Sequence, residues 1–408
     1  MSVSILFVDD EQMVLQGLKR ALYSMRREWK MHFAQSGREG LAILQEHELD
    51  IVISDMYMPE MDGADFLSLV QTEHPQVVRI ILSGHSDHAL LLRTIIPAHK
   101  FLHKPCSKDI LVNAVNRILL ARKFVEDPAL RSRINQIGTL PTHPLFYPLA
   151  IEALGRDFHK EVAAILPFDV AMVANIMKVV MNSFAGDSKT PSTLEAVSQT
   201  LGVEMIKELI CRREEFAAYQ DFLYPDYSIL QLWRHSLRTA RYAAAIAATQ
   251  SSDPLFVDQC YTAGLLHDVG KMVLLLKFGE EYVQSLKKTM QEEIPVRDAE
   301  TRAFNTTHEA AGAYLLCLWG LPLKTLEAVA FHSRPGYTRG AEFKPVTAVH
   351  VANILDHYFL GFSARHSKRQ LDQSFLEKNG FMERMPVWKK ACASVYAREI
   401  QEQKKLIF

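Results

Sequence analysis

Short apolar runs in the N-terminal third of the chain end on side chains suited to phosphoryl chemistry. Asp9 and Asp10 follow the first run, Asp55 the third, Ser83 the fourth and Lys104 the fifth. Carboxylates gathered at one place repel one another, and the set makes sense around a hard divalent cation with oxygen ligands. Mg2+ suits because it also bridges phosphate oxygens. A carboxylate can then attack a phosphoryl group whose charge is offset by the metal, by the Lys104 ammonium and by the Ser83 hydroxyl. Any one of these acids alone would be an ordinary helix cap or loop residue; the full set is what carries the reading.

For the set to meet, the runs must be parallel strands with their C-terminal ends along one edge. Residues 3–8, 31–34, 51–54, 79–82 and 100–103 read as strands, and 11–27, 37–47, 63–73, 86–96 and 107–122 as helices. Five such units in succession predict an α/β doubly wound, five-stranded parallel sheet.

The residues at those strand ends resemble the receiver domains of response regulators. The likeness is carried by Asp9-Asp10-Glu11, by the run from Asp55 through Met56, Tyr57 and Pro59 to Asp62-Gly63, by Leu82-Ser83-Gly84, and by Lys104-Pro105. It covers residues 1–122 and implies a flavodoxin-like fold with Asp55 as phosphoacceptor. It implies further that Asp9, Asp10 and Asp55 hold Mg2+ with the Met56 or Tyr57 carbonyl nearby, that Ser83 and Phe101 are a switch pair, and that the peptide before Pro105 is cis. Tyr57 and His85 flank the path of an attacking water and are expected to set the lifetime of the aspartyl phosphate.

After Arg122 the alternation stops. Residues 123–140, with Asp127-Pro128 and Pro141 just beyond, read as a helical linker, and we expect Lys108 to Val125 to run on unbroken toward the second part. From there the chain reads as mostly helical, with segments at 149–166, 169–184, 192–218, 229–249, 255–268, 279–291, 299–318, 322–332 and 343–360, then 368–378 and 386–404. This second part contains His235, His267-Asp268, His308, His332, Asn353 and Asp356. Imidazole and carboxylate from packed helices together suit a divalent transition metal, although a lone buried histidine is usually just a hydrogen-bonded core residue.

Asp169, the run from Val179 to Phe184, Leu201-Gly202, His267-Asp268-Val269-Gly270-Lys271, His308-Glu309 with Gly312, Trp319-Gly320-Leu321-Pro322 and His332 together resemble an HDOD domain. HDOD is the HD-related output domain of bacterial signalling proteins, and we place it at 141–360, with a C-terminal helical extension at 361–408. The resemblance to HD phosphohydrolases implies a degenerate metal site of His235, His267, Asp268 and Asn353, with His308 and His332 nearby. Asn353 stands where those enzymes have a carboxylate, and Pro335-Gly336-Tyr337 only partly matches the Gly-Tyr-Pro run of the cyclic-dinucleotide phosphodiesterases. The expectation is therefore a regulatory phosphoacceptor protein, not an enzyme, whose helical domain acts by protein–protein contact. The alternative is a metal-dependent hydrolase of a cyclic dinucleotide or nucleotide.

Composition narrows the partners. The 46 Lys plus Arg residues nearly balance the 47 Asp plus Glu, which removes the global electrostatic argument for nucleic acid or an anionic membrane. The five cysteines are far apart and form no Cys-x-x-Cys pair, against a disulfide framework or zinc ribbon. No segment reads as membrane-spanning. We expect a cytoplasmic protein with a histidine kinase as one partner and an unidentified downstream protein as another, in which phosphorylation either alters packing between the two parts or pairs receivers into a homodimer.

Overall fold

The computed structural model describes residues 2–84, 93–142, 168–183, 201–202, 205–206, 208–209, 227–292, 294–360 and 371–407. The predicted helices at 149–166 and 192–218, most of that at 86–96, the first three residues of that at 368–378, and His85 lie partly or wholly outside the described residues.

The N-terminal part is a parallel five-stranded sheet of order β2-β1-β3-β4-β5. Its strands are β1 (Val3–Val8), β2 (Trp29–Ala34), β3 (Ile51–Asp55), β4 (Val78–Ser83) and β5 (Lys100–His103). Alternation of side chains sorts the strands between two apolar layers. Ile5, Phe7, Ile51, Ile53, Ile80 and Leu82 face one layer, and Leu6, Val8, Val52 and Ile81 the other. Helices α1 (Gln12–Ala21), α2 (Gly37–Glu46), α3 (Gly63–Glu73) and α4 (Lys108–Ala121) cover the sheet. Side-chain oxygens of Ser36, Asp62 and Ser107 start α2, α3 and α4 by accepting from the amides of Glu39, Asp65 and Ile110, as N-caps do.

The expected continuous rod from Lys108 to Val125 is not what forms. Helix α4 ends at Ala121, and a separate helix α5 (Pro128–Asn135) begins after Asp127, whose carboxylate accepts from the Ala129 amide at 2.9 Å. A residue before proline is driven out of helical conformation, so Asp127-Pro128 forces the restart. The linker then folds back: Leu130, Ile134, Ile137 and Leu140 are buried in the same apolar cluster that holds one face of the sheet and much of the helical part.

That part comprises α6 (Val170–Ser183), α7 (Ile229–Ala248), α8 (Pro254–Leu266), α9 (Val269–Phe278), α10 (Glu280–Glu292) and α11 (Val296–Phe304). It continues with α12 (His308–Leu318), α13 (Leu323–Phe331), α14 (Pro345–Phe359), α15 (Gln373–Lys378) and α16 (Met385–Ile407). Among the described residues no strand follows β5, and no helix is long and apolar enough to cross a membrane. The single helix expected over 299–318 is two, because Asn305 takes the left-handed conformation (φ 52°) and Thr307 caps a new start by accepting from the Ala310 amide. Helix α9 was not expected at all: Met272 through Leu275 are buried without a polar face, so no amphipathic period marks them.

The C-terminal segment is an integral layer. Trp388 is fully buried beside Phe343 and Phe381, at 5.5 and 6.2 Å between ring centroids, in a second apolar cluster built on α7 and α14. Truncating a buried aromatic costs about 3–5 kcal/mol. Trp388→Ala is therefore expected to lower the unfolding free energy of the helical part by about 3–5 kcal/mol, read as a lower denaturant midpoint at unchanged slope. An unchanged midpoint would mean that α16 is a detachable appendage.

Candidate functional sites at Asp55 and Asp268

Register explains the convergence at the sheet edge. Val8 pairs with Ala34 and Ser54, Asp55 with Leu82, and Ser83 with His103, so the strands run out at one level. Asp9, Asp55 and Ser83 are buried there, and Asp10 is half-buried. The Lys104 Nζ donates to Asp9 Oδ2 at 2.7 Å and pairs with Asp55. Burial raises the Asp55 carboxyl above its ordinary range, with Lys104 opposing the rise. Burial alone would weaken the Lys104 ammonium, but its bonds to Asp55 and Asp9 outweigh that and raise its pKa.

The loop after β3 is tight. The Tyr57 amide donates to Asp55 Oδ2 at 3.0 Å, and a Cβ on Gly63 would lie 2.2 Å from the Asp55 carbonyl oxygen. Tyr57 itself is 52% exposed beside the carboxylate, Phe101 is buried, and the Lys104-Pro105 peptide is cis. Asp9, Asp10 and Asp55 offer only oxygen donors, which is the donor set that Mg2+ takes.

The second site is centred on Asp268, buried between α8 and α9. Its Oδ2 faces His235 Nε2 at 3.6 Å and His267 Nε2 at 3.4 Å, while its Oδ1 faces His308 Nε2 at 3.2 Å and His332 Nε2 at 3.8 Å. One carboxylate thus joins two triads able to hold an ion, His235/His267/Asp268 and Asp268/His308/His332. His308 and His332, expected only nearby, are as much part of the arrangement as His235 and His267.

Each of these imidazoles has its Nδ1 against an acceptor, which turns Nε2 toward Asp268. The acceptors are Asp356 Oδ2 for His235 (2.7 Å), the Gly264 carbonyl for His267 (2.7 Å), Glu300 Oε2 for His308 (2.7 Å) and the Val329 carbonyl for His332 (3.1 Å). Such outer partners fix ring orientation and tautomer around metals. The buried His267 Nε2 and Asn353 Oδ1 have no hydrogen-bond partner, and Asp268 Oδ1 has only the 3.2 Å contact with His308 Nε2. Asn353 lies on the face of α14 that also carries His350, bonded to the His332 carbonyl, and His357, packed on His235. Orphaned buried donors and acceptors around an imidazole-carboxylate set fit a divalent transition metal.

Charge at this site is set by its neighbours. Burial opposes ionisation of Asp268, but the Lys271 ammonium at 2.5 Å and His308 outweigh it and hold the carboxyl well below the usual range. Burial pushes His267 well below its ordinary value and lowers His332, so both are neutral and able to ligate. For His308 burial acts the same way, yet Glu300 and Asp268 overrule it and push the imidazole up to about 10.

Sequence reasoning missed Glu300, which is fully buried and accepts from the Tyr282 hydroxyl, the His308 amide and His308 Nδ1. Nothing in the spacing of Glu300 and His308 marks it, because the helix break at Asn305 lies between them. It also missed Arg238, whose Nε donates to Asp356 Oδ1 at 2.5 Å. Its position one turn after His235 was a usable signal.

Comparison with known proteins agrees with both halves. The response regulator receiver domain matches residues 5–116, and the HDOD domain matches residues 157–335. The chain is 40% identical over 123 residues to the sensor kinase CckA of Brucella abortus (strain 2308), covering 29% of this chain and 13% of that protein. It is 25% identical over 234 residues to an uncharacterized protein of Treponema pallidum (strain Nichols), covering 57% of this chain and 44% of that one. The aligned stretches therefore span less than half of either relative. Among solved structures, the MmoQ response regulator from Methylococcus capsulatus str. Bath aligns at 20% identity over 59% of this chain and 97% of that chain, with a TM-score of 0.46. The chain thus carries a response regulator receiver domain within residues 5–116 followed by an HDOD domain within residues 157–335.

Proposed function

We propose that Asp55 accepts a phosphoryl group from a partner histidine kinase and that this changes how the helical domain presents itself to a downstream protein. The observation that supports it is the Lys104 ammonium held between Asp9 and Asp55 at the sheet edge. A carboxylate oxygen of Asp55 attacks phosphorus, the P–N bond to the donor imidazole breaks, and the imidazole leaves with its electron pair. Asp9, Asp10 and Asp55 would hold Mg2+, which supplies charge neutralisation for the phosphoryl oxygens. Lys104 and the Ser83 hydroxyl then hold those oxygens on the product. Tyr57, exposed and bonded through its amide to the Asp55 carboxylate, flanks the path by which water would arrive.

A second reading is favoured by one observation, the four imidazoles turned on Asp268. A divalent transition metal there would supply Lewis-acid activation of water for phosphoester hydrolysis. His235, His267, Asp268 and His332 would hold it, with His308 joining on loss of its proton; Asp356 and Glu300 would orient two of the rings, and Lys271 would neutralise charge beside Asp268.

Phosphorylation is checked by incubating the protein with acetyl phosphate and Mg2+ and weighing it intact. One phosphoryl group is expected on the wild type and none on Asp55→Ala; labelling that survives the substitution overturns the assignment. The two readings of the helical domain are separated by metal analysis of the purified protein. The hydrolase reading expects stoichiometric transition metal, lost in His267→Ala, together with turnover of a cyclic dinucleotide. A stably helical, metal-free protein without turnover leaves the binding module alone.

A further inference from the structure

Helix α12 has its two ends in different places. Its first residue, His308, faces Asp268, and its last turn is held by the receiver: Arg117 of α4 donates from Nε to the Cys317 carbonyl at 3.0 Å and from Nη2 to the Leu321 carbonyl just beyond. Cys317 Sγ returns a contact to the Arg117 carbonyl at 3.5 Å. Midway, the Tyr314 hydroxyl donates to Asn135 Oδ1 of the linker at 2.8 Å. Eleven helical residues span about 16 Å, so a single rigid element joins the receiver to the histidine cluster.

Neither end has slack. At the histidine end α12 crosses α9 backbone to backbone: a Cβ on Gly270 would stand 1.7 Å from the His308 carbonyl oxygen, and one on Gly312 would stand 2.9 Å from the Gly270 amide. Residue 270 lies two after Asp268, so a slide of α12 must move His308 against Asp268 or drag α9 with it. At the receiver end, Lys104 is held by Asp9 and Asp55, and three residues later Ser107 caps α4. Modifying the Asp55 carboxylate moves the negative charge that Lys104 meets from the carboxylate out to the phosphoryl oxygens beyond it, and α4, with Arg117, is the next rigid element along the chain.

We infer that α12 is the coupling element between the phosphorylation site and the Asp268 cluster, so that the state of Asp55 sets how tightly the cluster binds a divalent metal, and the metal in turn sets how readily Asp55 is modified. The inference rests on the metal-binding reading of that cluster. Coupling of this kind is reciprocal by thermodynamic necessity and typically amounts to about 5- to 150-fold in affinity. Side chains that touch neither ligand, Arg117, Tyr314 and Asn135, carry it.

The test uses the full chain and Co2+, whose visible bands from imidazole coordination distinguish the cluster from the all-oxygen receiver pocket, with His267→Ala as the control that removes them. Co2+ is titrated with and without beryllofluoride and Mg2+, the phosphoryl mimic at Asp55. An affinity change of about tenfold is expected, together with an equal change in beryllofluoride affinity when Co2+ is saturating. Tyr314→Phe and Arg117→Met should shrink both changes toward onefold while each ligand still binds alone, and Arg117→Lys should recover part of the effect. Imidazole-type bands whose affinity ignores the mimic overturn the coupling and leave the metal reading standing. Absence of those bands in the wild type overturns the metal reading and the coupling with it.

Discussion

The guanidinium of Arg79 has no exposed surface, and carbonyl oxygens satisfy it: Pro97 accepts from Nε, Val77 from Nη1 and Asn135 from Nη2 at 2.7 Å. A charge removed from water costs several kcal/mol unless its donors are met, and burial, opposed only in part by Tyr314, lowers this group to about 9. The arrangement therefore holds only while the linker stays put, since Asn135 supplies an acceptor from outside the sheet. Asn135 also receives the Tyr314 hydroxyl and reaches the Gln76 carbonyl. Lys178 repeats the device, donating to the Ile95 and Gly138 carbonyls with its ammonium 5.1 Å from the centre of the Trp319 ring. Two buried cations bonded to backbone thus tie β4, the turn before β5, the linker and the helical domain into one body.

The histidine cluster follows a different rule. Its charges come in opposite pairs, Glu300 with His308, Asp356 with Arg238 and His235, and Lys271 with Asp268. Buried pairs of this kind stabilise little by themselves, because desolvation cancels most of the attraction, yet losing one partner costs about 3–5 kcal/mol. That asymmetry keeps the rings aimed. It also explains why a cluster with Asn353 in place of a carboxylate retains a defined geometry: the orientation comes from Asp356, Glu300 and two helix carbonyls, none of which depends on Asn353.

The sheet and its site were legible in the sequence because a parallel strand is short, apolar on both faces and followed at once by the residue that matters, as with Asp55 and Lys104. The helical half was legible only where an amphipathic period existed. Helix α9 buries Met272 through Leu275 in succession and lacks one. Asn305 hides a break inside what reads as one helix, and Asp127-Pro128 carried a visible stop signal whose weight was underestimated. Long-range partners were the least legible. Glu300 meets His308 across a chain reversal, and Arg79 meets Asn135 fifty-six residues on. No local pattern specifies either: the first depends on the helix break at Asn305, and the second on the apolar cluster that brings the linker back onto the sheet.

That return of the linker bears on how the chain can be divided. A fragment ending at Arg122 keeps every residue of the phosphorylation site but leaves the Arg79 guanidinium and the His99 ring without the Asn135 carbonyl that both approach, at 2.7 and 3.0 Å. It also uncovers the apolar surface that Ile134, Ile137 and Leu140 bury. Such a fragment would be sticky and differently charged at its base, so its behaviour in isolation would describe the cut as much as the domain. The smallest piece that preserves the receiver's own electrostatics extends through the linker, and the residues joining the halves are structurally part of both.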